Sequence, residues 1–290
     1  MPEPALETSE DIVTPEDIAR FRASYDPYTW VLYTDEELVP VIIKQRKDQK
    51  EREEGERRTP EEKTEAIAKE NQRQKEIPEK DEDYYLILLD EFNRQVRTLI
   101  QKGVPEMANL TEQRFISILE PLKEHIHELS TKKAPKGHIP FIIVLGEELL
   151  SLKKQVPLME LEGEKGYTKM DSDTIKGFKP FEVKIPNGKA YLAVDIETGK
   201  TSLGKTPGEA IKKIKSEDRS PLTLEEGVAL VTHHPEILKD NHIWMPGSRR
   251  GDDGVAHLWL SGGGPRLFWS LAVLSGARWG SASCGSRVGP

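Results

Sequence analysis

The segment Gly199-Lys200-Thr201-Ser202-Leu203-Gly204-Lys205-Thr206 matches the phosphate-binding loop pattern G-x-x-x-x-G-K-[ST] letter for letter. In such a loop the backbone N–H groups and Lys205 would wrap phosphates, and the Thr206 hydroxyl would hold magnesium. An apolar run, Ala190–Asp195, precedes it as a strand would. Two points oppose the match. Thr206 stands before Pro207 and reads as the N-cap of the next helix, whereas the motif needs its Gly-Lys-Thr inside the first turn. No later apolar strand ending in Asp supplies a magnesium partner. The plainer reading is a capped strand–turn–helix connection, with no cofactor expected; Gly204, Lys205 and Thr206 carry the nucleotide alternative.

A second candidate is the only cysteine, Cys284. As a nucleophile it would need a base, and His233, His234, His242 and His257 stand upstream. Ser281-Ala282-Ser283-Cys284-Gly285 is no nucleophile elbow, because Gly280 is misplaced for G-x-S-x-G and only five residues follow Gly285. A small buried or surface thiol is the simpler expectation. His125 and His127 fall on different helix faces, His233 and His234 are adjacent, and structural-zinc spacing is absent, so no metal site is expected.

The third candidate is a composition. Residues 241–290 carry Trp244, Trp259, Trp269 and Trp279, ten of the 22 glycines, and no lysine; their cations are Arg249, Arg250, Arg266, Arg278 and Arg287. Glycine lets backbones approach, tryptophan buries large area, and arginine presents a planar donor fork. This predicts a tightly packed β-rich module with a recognition surface. Arg249, beside Gly247 and Ser248, could bind an anion or a partner carboxylate, or Arg249-Arg250-Asp252-Asp253 could be a charged turn. The tryptophans read mainly as core, with one or two lining a groove. The candidate binding residues are Ser248, Arg249, Trp259, Arg266, Trp269 and Trp279.

Elements must position these groups. Thr14-Pro15-Glu16-Asp17, Thr59-Pro60-Glu61-Glu62 and Thr206-Pro207-Gly208-Glu209 spell helix starts, as do Thr34-Asp35-Glu36-Glu37 and Thr223-Leu224-Glu225-Glu226. Tyr85, Leu88, Leu89, Phe92, Val96, Leu99 and Ile100 form one helical stripe ending at Gly103-Val104-Pro105. Phe115, Ile118, Leu119, Leu122, Ile126 and Leu129 form a second, kinked or divided at Pro121. Ile139–Leu145, Val156–Leu161 and Ala190–Asp195 read as strands, and Pro207–Lys215 and Leu224–Leu230 as short helices. Val255–Ser261 and Arg266–Val273 form a hairpin around Gly262-Gly263-Gly264-Pro265, apolar on both faces and therefore central. The predicted class is α+β: an amphipathic helical pair on a mostly antiparallel sheet.

At 290 residues the chain can hold one or two domains; charged residues reach 32 % against 36 % apolar. That polarity predicts a solvated appendage. Residues 1–43 read as a short segment, docked through Tyr25, Tyr28, Trp30, Val31, Leu32 and Tyr33. Residues 44–80 hold 12 Lys/Arg against 11 Asp/Glu and read as a charged linker, helical or disordered. The compact domain is expected over 81–290. A net charge of −8 argues against nucleic acid and anionic membrane as partners. The single cysteine, the acidic N-terminus without a signal-peptide pattern, and the lack of a bilayer-length apolar run predict a cytoplasmic protein.

From about Tyr84 to residue 288 the chain resembles an uncharacterised bacterial family catalogued as domain of unknown function 5701. The matching text is Arg219-Ser220-Pro221-Leu222-Thr223, Glu226-Gly227, Val231-Thr232, His234-Pro235-Glu236, Gly247-Ser248-Arg249, Leu258-Trp259-Leu260-Ser261, Gly264-Pro265-Arg266-Leu267 and Trp279-Gly280-Ser281-Ala282-Ser283. Family members commonly carry a Trp-x-Trp pair, then an Asn and a His, before the final tryptophan. Here Leu271 stands two after Trp269, and Ala272–Arg278 holds neither Asn nor His, so a site built on those groups would be damaged or absent. The expected function is a non-catalytic binding or interaction domain for a protein or small-molecule ligand, with a homo-oligomer compatible. The alternatives are nucleotide binding through 199–206 or thiol chemistry at Cys284.

Overall fold

The computed structural model describes residues 12–23, 35, 38–39, 42–43, 45–47, 49–50, 81–251 and 253–290. Contacts divide the chain into two units, Met1–Leu86 and Ile87–Pro290. In the first, helix α1 (Pro15–Ala23) starts as its sequence predicts, with Thr14 Oγ1 accepting from the Asp17 amide at 3.3 Å. Ile18, Phe21, Leu38 and Ile42 are buried, and Arg46 pairs with Asp17 at 2.7 Å. The aromatic run Tyr25–Tyr33, the Thr59 helix start, most of Thr34–Glu37 and most of the charged linker lie outside the described residues.

The predicted helical pair is α2 (Asp81–Gln101) followed, after a short α3 (Val104–Met107), by α4 (Glu112–Leu119) and α5 (Glu124–Ser130). Gly103 closes α2 at φ +75°, a left-handed turn glycine tolerates without strain. Pro121 divides the second stripe: residues Glu120–Lys123 wind as 3₁₀ helix, because proline removes a donor from the ladder. Leu88, Leu89, Phe92, Val96, Leu99, Phe115, Leu119, Leu122 and Ile126 are all buried, as the periodicity requires.

Strand β1 (Ile139–Leu145) follows, then α6 (Leu152–Gln155). The expected strand over Val156–Leu161 does not form as such. Val156–Leu158 is a 3₁₀ turn with Pro157 in its first positions, and only Glu160–Leu161 (β2) pairs, with Glu164–Lys165 (β3). The missing Pro157 N–H cannot serve a ladder. Then come β4 (Tyr167–Thr168), α7 (Ser172–Lys176), β5 (Lys179–Pro180), β6 (Ala190–Ile196), α8 (Pro207–Ser216), β7 (Ser220–Pro221), α9 (Leu224–His233) and α10 (Ile237–Asp240). The chain ends in β8 (His242–Arg250), β9 (Gly254–Ser261), β10 (Gly264–Leu271), β11 (Trp279–Ser281), β12 (Ser283–Cys284) and β13 (Ser286–Val288).

Two main sheets result. The smaller has order β1-β6-β13, antiparallel throughout; the larger runs β11-β8-β9-β10-β4, with β5 also on β8. Helix α9 packs on β1 and against β8 and β9, so it sits between the sheets, and nearly all of it is buried. The main core gathers around it: Val228, Leu230 and Val231 with Ile142, Val144, Tyr191 and Ala193 of one sheet and Ile243, Ala256, Leu258 and Leu267 of the other. The β9–β10 hairpin turns on Gly262 and Gly263, at φ +63° and +90°, which is the two-residue turn glycine favours. Arg249 and Arg250 end a strand rather than forming the turn itself.

Candidate functional site

The larger sheet has one face in the core and one turned away, and period-two alternation decides which side chain goes where. Ile243, Met245, Ala256, Leu258 and Leu267 face α9 and the core. Their neighbours face the other way. Register places Trp244 opposite His257, Arg266 opposite Trp259, and Trp279 opposite His242. Four strands therefore put His242, Trp244, His257, Trp259, Arg266 and Trp279 on one face.

These groups touch. His257 stacks on Trp259 with centroids 4.6 Å apart and planes at 16°, and on Trp279 at 6.0 Å. His242 stacks on Trp279 at 5.8 Å, and Trp244 meets Trp279 edge-on at 5.5 Å. Arg266 lies over Trp259 at 4.9 Å, Phe268 at 5.4 Å and Tyr167 at 5.8 Å. Among the described residues its guanidinium has neither a carboxylate partner nor a hydrogen bond, and its Nε is buried. An arginine held by ring faces keeps its donor fork for something else.

The connection from β10 to β11 covers part of this face. Both strands run parallel to β8, since β11 pairs parallel with it and β10 is reached through two antiparallel steps. Ala272–Arg278 must therefore return the length of the sheet. A methyl on Gly276 would sit 3.0 Å from the Trp279 indole, which places the strap against that ring. Val273 at 69 % and Leu274 at 44 % are exposed on the strap, beside exposed Ser275 and Arg278. Near it, Trp244 Nε1 and His257 Nδ1 are buried without a partner among the described residues, their rings 4.6 Å apart. The other His257 nitrogen, Nε2, faces Ser270 Oγ at 3.1 Å. Burial, with His242 and Arg266 nearby, pushes the His257 pKa down to about 4, so the ring is neutral near pH 7.

Of the predicted binding residues, Trp259, Arg266 and Trp279 come together here. Trp269 does not: it pairs with Ala256, packs against the core, and carries Arg250 over its ring at 5.2 Å. Ser248 is buried, and its Oγ accepts from the Leu224 amide at 2.9 Å, holding the start of α9. Arg249 lies over Phe181 at 5.2 Å, and its buried Nε has no hydrogen bond among the described residues. His242 and His257 were candidate bases in the sequence but not recognition groups. The alternation His242-x-Trp244 and His257-x-Trp259 was the signal that could have placed all four on one face.

The other motifs occupy different places. In 199–206 the Thr201 amide donates to Glu197, Ser202 to Gly199 O, Gly204 to Trp279 O and Lys205 to Ser202 O. Gly199, at φ +93°, abuts the Gly280 backbone, so close that a methyl on either would clash. Thr206 forms a full capping box with Glu209 on α8. Cys284 is fully buried, and burial with Glu226 nearby raises its thiol pKa to about 12. The charged groups acting on it are Glu226, Arg287, Arg219 and Asp195, with no imidazole among them. His234, at the end of α9, stands 3.6 Å from Glu91 and 3.6 Å from Glu236 instead. Among the described residues no cluster of His, Cys, Asp and Glu could hold a metal ion, and no helix is long and apolar enough to cross a membrane.

The family described as "Family of unknown function (DUF5701)" matches residues 98–289, which spans both sheets, the central helix and the His–Trp–Arg face. No curated protein and no solved structure matches the chain. The chain belongs to the family of unknown function DUF5701.

Proposed function

We propose that this chain is a non-catalytic binding domain whose His–Trp–Arg face takes a partner or small molecule presenting an oxyanion beside a ring. The supporting observation is Arg266, stacked on three rings with its hydrogen-bonding capacity unused by described residues. A carboxylate, sulfate or phosphate oxygen pair fits a guanidinium fork. Trp259 and Trp279, half-buried, supply apolar edge beside it. Trp244 Nε1 and Arg249 Nε, both buried atoms of the same sheet, have no hydrogen-bond partner among the described residues. The protein is proposed to work in the cytoplasm.

A thermal-shift screen of the full chain tests this, using benzoate, sugar phosphates and nucleoside monophosphates beside their uncharged counterparts. A ligand at about 100 times its Kd stabilises by about 2.7 kcal/mol. Charged probes should raise the melting temperature, neutral ones should not, and Arg266→Ala should abolish the difference. Equal shifts with and without the anion would reject the assignment.

A further inference from the structure

A second constellation lies on the other sheet, away from the tryptophans. Asp195, inside β6, has φ +57°, a conformation that crowds the Cβ of an L-residue. Non-glycine residues held there inside a strand are strained, and such strain concentrates at functional sites. The surroundings fix this one: Gly285 donates its amide to Val194 O and Asp195 O, at 2.9 and 3.1 Å. The Asp195 carboxylate is shared. Oδ1 meets His138 Nδ1 at 2.5 Å, and Oδ2 is paired by Arg219, which also donates to Asp195 O and, through Nε, to Ser283 Oγ at 3.0 Å.

With a carboxylate at Nδ1, the neutral imidazole carries its proton there and leaves Nε2 as an acceptor. His138 lines a groove of about 520 Å³ between α2 and the start of β1, and its Nε2 has no hydrogen bond among the described residues. That volume is in the range of small-molecule sites. Ile87 and Pro140 give the groove apolar lining; Asp90, Glu91, Arg94, Arg97 and His234 give it charged and polar lining. Arg94 binds both Glu91 oxygens at 2.7 Å through Nε and Nη2, and its Nη1 has no hydrogen bond among the described residues.

We infer that this groove is a second ligand site, for a small apolar hydroxy acid. His138 Nε2 accepts the hydroxyl hydrogen, and Arg94 Nη1 meets the carboxylate. Asp195 and Arg219 are positioning residues.

Diethyl pyrocarbonate reports on this directly in the full chain. Imidazole Nε2 attacks its carbonyl carbon and expels ethyl carbonate, which decays to ethanol and carbon dioxide. Peptide mass mapping should find His138 modified faster than free N-acetylhistidine at the same pH. 2-Hydroxyisocaproate should protect it, and isocaproate, lacking the hydroxyl, should protect it less. Asp195→Asn introduces a residue that also tolerates the left-handed region and should slow modification by about tenfold, with circular dichroism checking that the variant is folded. A merely structural Asp195 would do the opposite, since loosening β6 exposes His138 and speeds its modification. An ordinary His138 rate, equal protection by the two acids, or a faster rate in Asp195→Asn would each overturn the inference.

Discussion

Trp259 and Arg266 are direct cross-strand partners on β9 and β10, and the guanidinium lies 4.9 Å from the indole centroid. The pair sits where one sheet face changes from stacked imidazole and indole to a cation without a carboxylate. Cross-strand pairs of this kind add stability of order 0.2–1 kcal/mol. The proposed binding role would use the guanidinium donors that this packing leaves without a partner among the described residues.

A stronger internal lock lies elsewhere. Arg287 bonds both oxygens of Glu226 at 2.5 and 2.8 Å, Ser220 Oγ at 2.7 Å and Pro221 O at 2.9 Å, while Tyr191 donates to Glu226 at 3.0 Å. Glu226 is fully buried. Arg287→Ala strands that carboxylate and should cost about 3–5 kcal/mol. Urea unfolding should show this, whereas Arg266→Ala should cost about 1 kcal/mol or less. Equal costs would mean the lock has been misjudged.

Stability should fall as pH falls. His233, fully buried, has its pKa pushed down to about 3, and His257 to about 4. Unfolded imidazoles take protons near pH 6.5, so between that value and about 4 the unfolded state binds more protons. Stability from neutral burial is complete above pH 6.5 and declines below it, by about 3 kcal/mol per ring at the low end. Glu91, its pKa lowered to about 2 by Arg94, His234 and Gln95 despite burial, adds loss in the same direction below about pH 4.5. His257→Gln should flatten the pH dependence of the urea midpoint; an unchanged slope would exclude His257 as a source.

Cys284 should resist alkylation. With its thiol pKa near 12 and no exposed surface, iodoacetamide at pH 8 should label it only after unfolding. Labelling of the native chain at the rate of a free thiol would reopen the thiol-enzyme alternative.

Thr206 and Lys205 separate the two readings of their segment. Loss of the capping box in Thr206→Ala should cost about 1 kcal/mol, while Lys205→Ala should leave the melting temperature unchanged. A magnesium–nucleotide shift that Lys205→Ala removes would favour a phosphate loop instead.

Local signals carried most of the fold. The Thr206 and Thr223 capping boxes, the Gly103 stop and the β9–β10 glycine turn are short-range chemistry, and each lies where its residues put it. β8 was harder: Pro246, Gly247 and two arginines mask a strand that carries a register shift between Met245 and Arg249. The face itself was half legible. Composition marked Trp259, Arg266 and Trp279, but only register shows that His242 and His257 join them and that Trp269 points the other way. His138, Asp195 and Arg219 are 57 and 24 residues apart along the chain and share no local pattern, so pairing through β6 is what unites them.

The most direct test of the binding face is a ¹⁵N-tryptophan NMR titration of the full chain with benzoate, beside benzyl alcohol as the uncharged probe. Benzoate should move the Trp259 and Trp279 indole signals and leave Trp269 in place, and Arg266→Ala should abolish the response. Equal shifts with benzyl alcohol, shifts confined to Trp269, or an undiminished response in Arg266→Ala would contradict the binding role of this face.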